Sequence, residues 1–274
     1  MSEIAKTFSK LKAQGEGALI AYVTAGDPAP SYTPRIVEAL IKGGADIIEL
    51  GIPFSDPIAD GPTIQAASVR ALQAGTTPKH VFKIAEEIKE KYKQPLVTMT
   101  YYNSIFRMGV QKFIESARTS GISGIIVPDL PIEEAVEYKK IAETYEIDTI
   151  FFTAPSTSPE RLRETIKFTS GFLYLISVFG VTGARSTIQD HTLKLIENTR
   201  VITNGTIPLA VGFGISEPQH VSAVLRNGAD AAIVGSGFVK IIAQLLNNED
   251  KMLKMLEDYT HQLKKATFNA TKSN

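Results

Sequence analysis

Residues 48–62 read Ile48-Glu49-Leu50-Gly51-Ile52-Pro53-Phe54-Ser55-Asp56-Pro57-Ile58-Ala59-Asp60-Gly61-Pro62. The apolar run 45–50 is bounded by Gly44 and Gly51, the pattern of a strand buried on both faces, and a loop punctuated by Gly and Pro follows it. Glu49 is the one residue of that run that resists burial, because an ionised carboxylate leaves water only when it is paired or gives up its charge. A strand ending in such a residue, and opening into a loop that carries Asp56 and Asp60, marks a candidate site.

Outward from this strand, short apolar runs recur at 18–24, 96–101, 124–127, 148–153, 172–177, 209–211 and 231–234, with helical patterning between them. Continuous apolar strands alternating with amphipathic helices are what a helix-covered parallel sheet requires, and eight such units can close into a (β/α)8 barrel of the TIM type. Additional helices are expected over 3–13, 63–73 and from 249 to about 268, beside a regular one over 78–91, with 266–274 as a frayed tail. Three helix-to-strand junctions look alike, at 43–48, 120–126 and 227–233. Their similarity fits either repeated β/α units or the shared demands of a tight turn. A doubly wound open sheet is the alternative, but the first strand lacks the G-x-G-x-x-G turn of its nucleotide-binding form.

At 274 residues and 43% hydrophobic, the chain has the size of one such barrel, read as a single domain over 1–274. Lys plus Arg equals Asp plus Glu at 29 each, without a basic stripe, which argues against nucleic acid or an anionic membrane as partner. There is no Cys, so disulfides and thiolate chemistry are excluded, and a cytoplasmic setting is expected. No run approaches the roughly 20 apolar residues of a bilayer span.

In a barrel, chemistry belongs at the C-terminal ends of the strands. Those positions hold Thr24, Glu49, Tyr101, Asp129, Phe152, Thr153, Ser177, Gly212–Gly214, Gly235 and Ser236, with neither Lys nor His among them. The four His residues fall at helix starts or within helices, where solvation or capping accounts for them, which argues against a His-rich metal site. A Schiff base lacks its Lys, so carboxylates must carry any reaction. Glu49 is then either a catalytic group or a barrel-layer carboxylate neutralised by an Arg or a backbone donor. Asp60 is either catalytic or a turn and cap residue before the next helix, Asp56 reads more readily as a turn residue, and Asp129 as the N-cap of a helix opening at Pro131 or a residue that bonds neighbouring loops.

Three glycine-rich stretches follow in the second half: Gly180–Gly183, Gly212–Gly214 and Gly235–Gly237. Glycines permit tight βα turns. Converging after strands six to eight, with a helix opening at Ser236, they also form the usual phosphate site of a barrel.

The segment 48–61, together with Met99-Thr100-Tyr101-Tyr102-Asn103, Val127-Pro128-Asp129-Leu130-Pro131, Tyr174–Ser177, Gly180–Ala184, Val211–Ser216 and Gly235-Ser236, resembles the tryptophan synthase α-subunit family over essentially the whole chain. The resemblance implies a lyase that splits indole-3-glycerol phosphate into indole and glyceraldehyde 3-phosphate. It implies Glu49 as acid/base, Asp60 as second catalytic carboxylate, and Tyr174 near the glycerol chain. Thr182 would be the loop hydroxyl that engages Asp60, and Gly183, Phe213, Gly214, Gly235 and Ser236 would form the phosphate pocket. Tyr22, Met99, Ile126 and Phe152 would surround the indole. No cofactor or metal is expected on this chain; pyridoxal phosphate belongs to a β-subunit partner in an α2β2 assembly. A stand-alone lyase releasing free indole, and a weakly active allosteric activator of β, are the alternatives. Departures from the family are Tyr22 for Phe, Pro128 for Ala, and Val178-Phe179 for polar residues. A loop over about 178–190 is expected to open and close, with Arg185 as its tryptic site.

Overall fold

The computed structural model describes residues 1–176 and 190–268. Its strands are β1 (Ala18–Thr24), β2 (Ile47–Gly51), β3 (Leu96–Met99), β4 (Ile122–Ile126), β5 (Asp148–Ile150), β6 (Phe152–Thr153), β7 (Leu173–Ile176), β8 (Leu209–Gly212) and β9 (Ala231–Val234). They lie in the order β5-β4-β3-β2-β1-β9-β8-β7-β6, every pair parallel. The run 148–153 is thus two pieces interrupted at Phe151, whose carbonyl accepts from Tyr174 N at 3.0 Å, so the ends of the sheet meet and the barrel closes. The fourth strand starts at Ile122, two residues before the apolar run suggests, because Ile122 already pairs with Leu96.

Alternation along each strand separates two cores. Ala18, Ile20 and Tyr22 of β1, Ile47 of β2, Val97 and Met99 of β3, and Tyr174 of β7 fill the interior. Leu19, Ala21, Val23, Ile48 and Leu50 pack outward under the helices. Since successive residues face opposite sides, Glu49 lies on the inner face between outward-facing Ile48 and Leu50. The helix α1 (Glu3–Gln14) plugs the N-terminal end: Ile4, Phe8 and Leu11, at helical spacing, join the interior core, each contributing roughly 2 kcal/mol by burial. Ser2 caps it, accepting from Ala5 N at 3.2 Å. With that end closed, the opposite end is left for chemistry.

The similar junctions share a geometry. Gly44, Gly121 and Gly228 all have positive φ (103°, 82° and 98°), the turn that lets a strand follow a helix at once. Two residues after Gly44 and Gly228, Asp46 and Asp230 accept the backbone N–H of Leu19 and Leu209 at 2.8 Å, each at the head of the preceding strand. Ser123 takes the corresponding place in the third junction and donates to Glu3 instead.

The helices after α1 are α2 (Thr33–Lys42), α3 (Pro62–Gln73), α4 (Pro78–Lys91), α5 (Tyr102–Met108), α6 (Val110–Thr119), α7 (Val136–Thr144), α8 (Pro159–Phe168), α9 (Asp190–Thr203), α10 (Pro218–Arg226), α11 (Ser236–Gln244) and α12 (Glu249–Lys265), and the expected extra ones are α3 and α12 beside α4. Arg70 of α3 grips the buried Asp27 carboxylate through two bonds of 2.7 Å, tying the helix to the loop after β1. Two expectations fail here. The helix placed at Pro131 begins only at Val136, after turns over 131–134. Ala266 and Thr267 are not frayed: Thr267 is fully buried and its carbonyl accepts from Gly17 N. Among the described residues no helix is long and apolar enough to cross a membrane.

Candidate active site

A cavity of about 520 Å³ opens at the C-terminal ends of the strands. Glu49, Asp60, Tyr22, Met99, Tyr174, Phe213, Gly214, Gly235 and Ser236 line it, together with residues 61–64, Ile215, Ile233 and Lys240. Most of the expected site residues are therefore gathered in one place. Ile126 and Phe152 do not line the cavity: Ile126 is fully buried in the barrel interior, and Phe152 supports the Tyr174 ring at a centroid distance of 4.7 Å. Ser177, Thr182, Gly183, Arg185 and the expected loop as far as residue 189 lie outside the described residues.

Glu49 is 1% exposed, and its Oε2 has no hydrogen-bond partner among the described residues. Among the described residues neither an Arg nor a backbone donor neutralises that oxygen, which leaves the barrel-layer alternative without support. Burial, and then the Asp60 charge, push the carboxyl up to about 8, so it holds its proton at neutral pH. Asp60 is raised less, to about 6, by burial, with the Tyr101 hydroxyl offsetting part of the effect. That hydroxyl donates to Asp60 Oδ2 at 3.1 Å and accepts from Ala59 N at 3.0 Å. The helix-cap reading of Asp60 does not apply, because α3 starts after Gly61 with no side-chain cap. One carboxyl that stays neutral beside one that ionises is the arrangement that divides acid and base roles. Asp129, by contrast, binds the start of the helix Tyr102–Met108 that follows β3, accepting from Tyr102 N at 2.8 Å.

Room for the two tyrosines comes from glycines on the adjacent strands. A Cβ at Gly51 would overlap the Tyr22 hydroxyl, and one at Gly212 would overlap that of Tyr174. Tyr22 shares a hydrogen bond with Thr24 at 3.2 Å, and Phe152, Tyr174 and Phe213 form a continuous aromatic wall, the last two rings 5.9 Å apart edge to face.

Across the cavity, Phe213 and Gly214 both adopt positive φ (65° and 79°) after β8, turning the chain sharply at the mouth. Gly235 precedes α11 (Ser236–Gln244), whose unpaired backbone N–H groups and positive dipole end form an anion-binding corner. Sequence reasoning passed over Lys240 on this helix, although its spacing of four from Ser236 is a legible sign of a shared face. It also gave no role to Tyr101, whose function depends on a loop it meets only in the fold.

The chain matches the profile of the family described as tryptophan synthase alpha chain over residues 8–268. It is 52% identical over 242 residues to the tryptophan synthase alpha chain of Methanosarcina acetivorans, covering 88% of this chain and 87% of the relative. With the Methanosarcina barkeri protein of the same name it shares 48% over 265 residues, 97% of this chain and 98% of the relative. Among solved structures, a chain from Pyrococcus furiosus, described as part of a tryptophan synthase a2b2 complex, superposes with a TM-score of 0.85 at 42% identity, covering 90% of this chain and 98% of that one. A Mycobacterium tuberculosis tryptophan synthase chain gives 0.86 at 30% identity, covering 97% and 100%. On sequence and fold together, this protein belongs to the tryptophan synthase alpha chain family.

Proposed function

We propose that Glu49 and Asp60 perform the carbon–carbon lyase reaction of this family, the cleavage of indole-3-glycerol phosphate to indole and glyceraldehyde 3-phosphate. The observation that carries the assignment is the buried, unpartnered Glu49 carboxyl facing the same cavity as Asp60. Glu49, neutral at pH 7, donates its proton to C3 of the indole ring and creates a cationic indolenine. Asp60, ionised, stabilises the charge at the ring N–H. The hydroxyl on the carbon attached to C3 then loses its proton to the Glu49 carboxylate. Its oxygen closes to the aldehyde, and the electrons of the breaking carbon–carbon bond return to the ring. One proton enters and one leaves, so Glu49 ends as it began. The indole ring is its own electron sink, and the step calls on no cofactor of this chain.

Tyr22, Met99 and Tyr174 enclose the ring and glycerol chain, with Ile126 and Phe152 supporting them from outside the lining. Gly214, Gly235 and Ser236 hold the phosphate beside Phe213; Gly183 as a further phosphate residue and Thr182 as the hydroxyl that engages Asp60 are roles that rest on the family resemblance. Delivery of indole to a β subunit in an α2β2 assembly is supported by the surface around the mouth. Ile58, Phe106 and Val136 are 82%, 70% and 63% exposed on the segments that follow β2, β3 and β4, and exposed apolar side chains after three consecutive strands suit a partner. This favours a partnered enzyme over a stand-alone lyase. The absence of Cys and the neutral charge balance fit a cytoplasmic setting.

The test is indole release from indole-3-glycerol phosphate by the purified chain, repeated with a tryptophan synthase β subunit. Cleavage by the chain alone, accelerated by β, is expected; no cleavage in either condition overturns the assignment.

A further inference from the structure

We propose that Lys240 makes the cavity selective for a dianionic substrate, drawing the phosphate in and holding it; this rests on the phosphate reading of the α11 corner given above. Lys240 is the one cation among the described residues that line the cavity, whose other ionisable lining groups are Glu49, Asp60 and two tyrosines. No acid among the described residues lies within ion-pair distance of it, whereas Lys264, Arg70 and Arg200 all have carboxylate partners. An ammonium at the rim of a functional cavity with no carboxylate partner among the described residues is placed to meet an incoming charge.

Helix geometry aims it. Ser236 is the first residue of α11 and Lys240 the fifth, so they share a face about one turn, or roughly 6 Å, apart. Helical side chains lean towards the N-terminus, so the Lys240 stem runs back over the turn that carries Ser236 and Gly235. The location is electrostatically unfavourable for the empty protein, since a cation near the positive end of a helix adds to the dipole instead of opposing it. The first turn of α11 holds no acidic residue to compensate, while α12 carries Glu249 and Asp250 in its first turn. Helix end and ammonium therefore build one positive potential that a phosphate dianion relieves.

The opposite wall explains why this is useful. Asp60, ionised at neutral pH, repels an anionic substrate across the same cavity. Backbone dipoles act within hydrogen-bond reach, whereas a full charge acts over the Debye length of about 8 Å at physiological salt. Lys240 thus offsets the repulsion while the substrate is still entering, before the N–H groups can engage.

The experiment compares wild type with Lys240→Gln and Lys240→Arg, using glycerol 3-phosphate as the charged probe, indole as the neutral one, and steady-state cleavage at varied salt. Lys240→Gln is expected to weaken glycerol 3-phosphate by about three- to tenfold, with the loss in kcat/KM falling on KM more than on kcat, and to flatten the salt dependence of kcat/KM. Indole affinity should not change, and Lys240→Arg should restore most of the loss. Unchanged phosphate affinity and salt dependence in Lys240→Gln overturn the role of Lys240 alone. A parallel fall in indole affinity overturns it in favour of a structural role. Failure of the wild type itself to bind glycerol 3-phosphate overturns the phosphate corner, and this inference with it.

Discussion

Around β2 the mouth of the barrel is lined by ionisable side chains, whereas across the cavity, where β8 and β9 end, its form is set by a backbone turn and a helix end. On the first side the functional property is a protonation state. Glu49 is buried without a partner among the described residues, and Asp60 is held by Tyr101, so deeper burial and the Asp60 charge raise Glu49 further than burial raises Asp60. On the second side the functional property is a shape: a left-handed turn at Phe213-Gly214 and an open helix end at Ser236. A side-chain site can be retuned by its surroundings and fails by losing rate. A backbone site changes little with pH and fails by losing affinity. The two halves should therefore respond to substitution in different kinetic parameters.

The largest expected effect is that of Glu49→Gln, which keeps the volume and deletes the proton donor. Indole release should fall by about a thousandfold or more, with glycerol 3-phosphate affinity preserved within about twofold. Stability offers an independent reading of the same group. A carboxyl raised from 4.5 to about 8 keeps its proton in the fold after the unfolded chain has released it. Its contribution is fully present below pH 4.5 and is lost as pH rises towards 8. Glu49→Gln cannot ionise, so its stability relative to wild type should rise by a few kcal/mol between pH 4.5 and pH 8.5, as read by denaturant melts. Near-wild-type indole release, or a pH-independent stability difference, would break the account of this half.

The pH profile of kcat/KM for the free chain should be a bell, falling below about 6 as Asp60 is protonated and above about 8 as Glu49 ionises. The acidic limb overlaps the titration of the substrate phosphate itself, whose second pKa is about 6. The alkaline limb is thus the discriminating one. A profile still rising at pH 9.5 would exclude Glu49 as the acid. Binding of glycerol 3-phosphate, governed by the other half, should show no break near 8.

In the backbone half, Gly214→Val should weaken glycerol 3-phosphate binding by about tenfold or more. A β-branched residue resists the φ of 79° that Gly214 adopts, so the turn must rearrange. Gly214→Asn, which tolerates that region, should retain most of the affinity. Isothermal titration decides it: equal losses in Val and Asn would mean that side-chain volume, not backbone conformation, matters at this corner.

This difference in materials also decides what could be read without a structure. Glu49 announces itself because a charge in an apolar strand violates the pattern around it, and alternation along β2 then assigns it to the barrel interior. The glycine turns at 212–214 and 235–237 are legible as exceptions of a similar kind. Tyr101 was not, because its bond to Asp60 joins residues on different βα segments, and neither residue type requires the other. Gly51 reads as a strand boundary, while in the fold it makes room for the Tyr22 hydroxyl on the neighbouring strand. The break at Phe151 was hidden for a different reason: hydrophobic periodicity runs through 148–153 unchanged, and only the pairing of successive pieces with β4 and then β7 divides them. Relations inside one segment leave a pattern, and relations between segments do not.

The smallest effect tests whether the backbone half has its own support. Tyr259 of α12 lies behind the corner. Its hydroxyl donates to the carbonyl of Ser216, in the loop after β8, and its ring packs edge to face on Phe238 of α11 at 5.2 Å. The same phenol fills the space that a Cβ at Gly237 would need. One side chain outside the cavity therefore braces both the β8 loop and the first turn of α11 against each other. Burial, and then the neighbouring Glu217, push its hydroxyl up to about 12, so it remains a donor throughout the working range. Tyr259→Phe keeps the ring and the spacing and removes only the bond. Loss of one partly buried hydrogen bond should cost about 1 kcal/mol of stability. Loosening of the corner should raise the dissociation constant of glycerol 3-phosphate by about two- to threefold, with kcat at saturating substrate little changed. If instead the variant moved the alkaline limb of the pH profile, the carboxylates and the corner would be coupled through the barrel, and the division of the mouth into a rate half and an affinity half would fail.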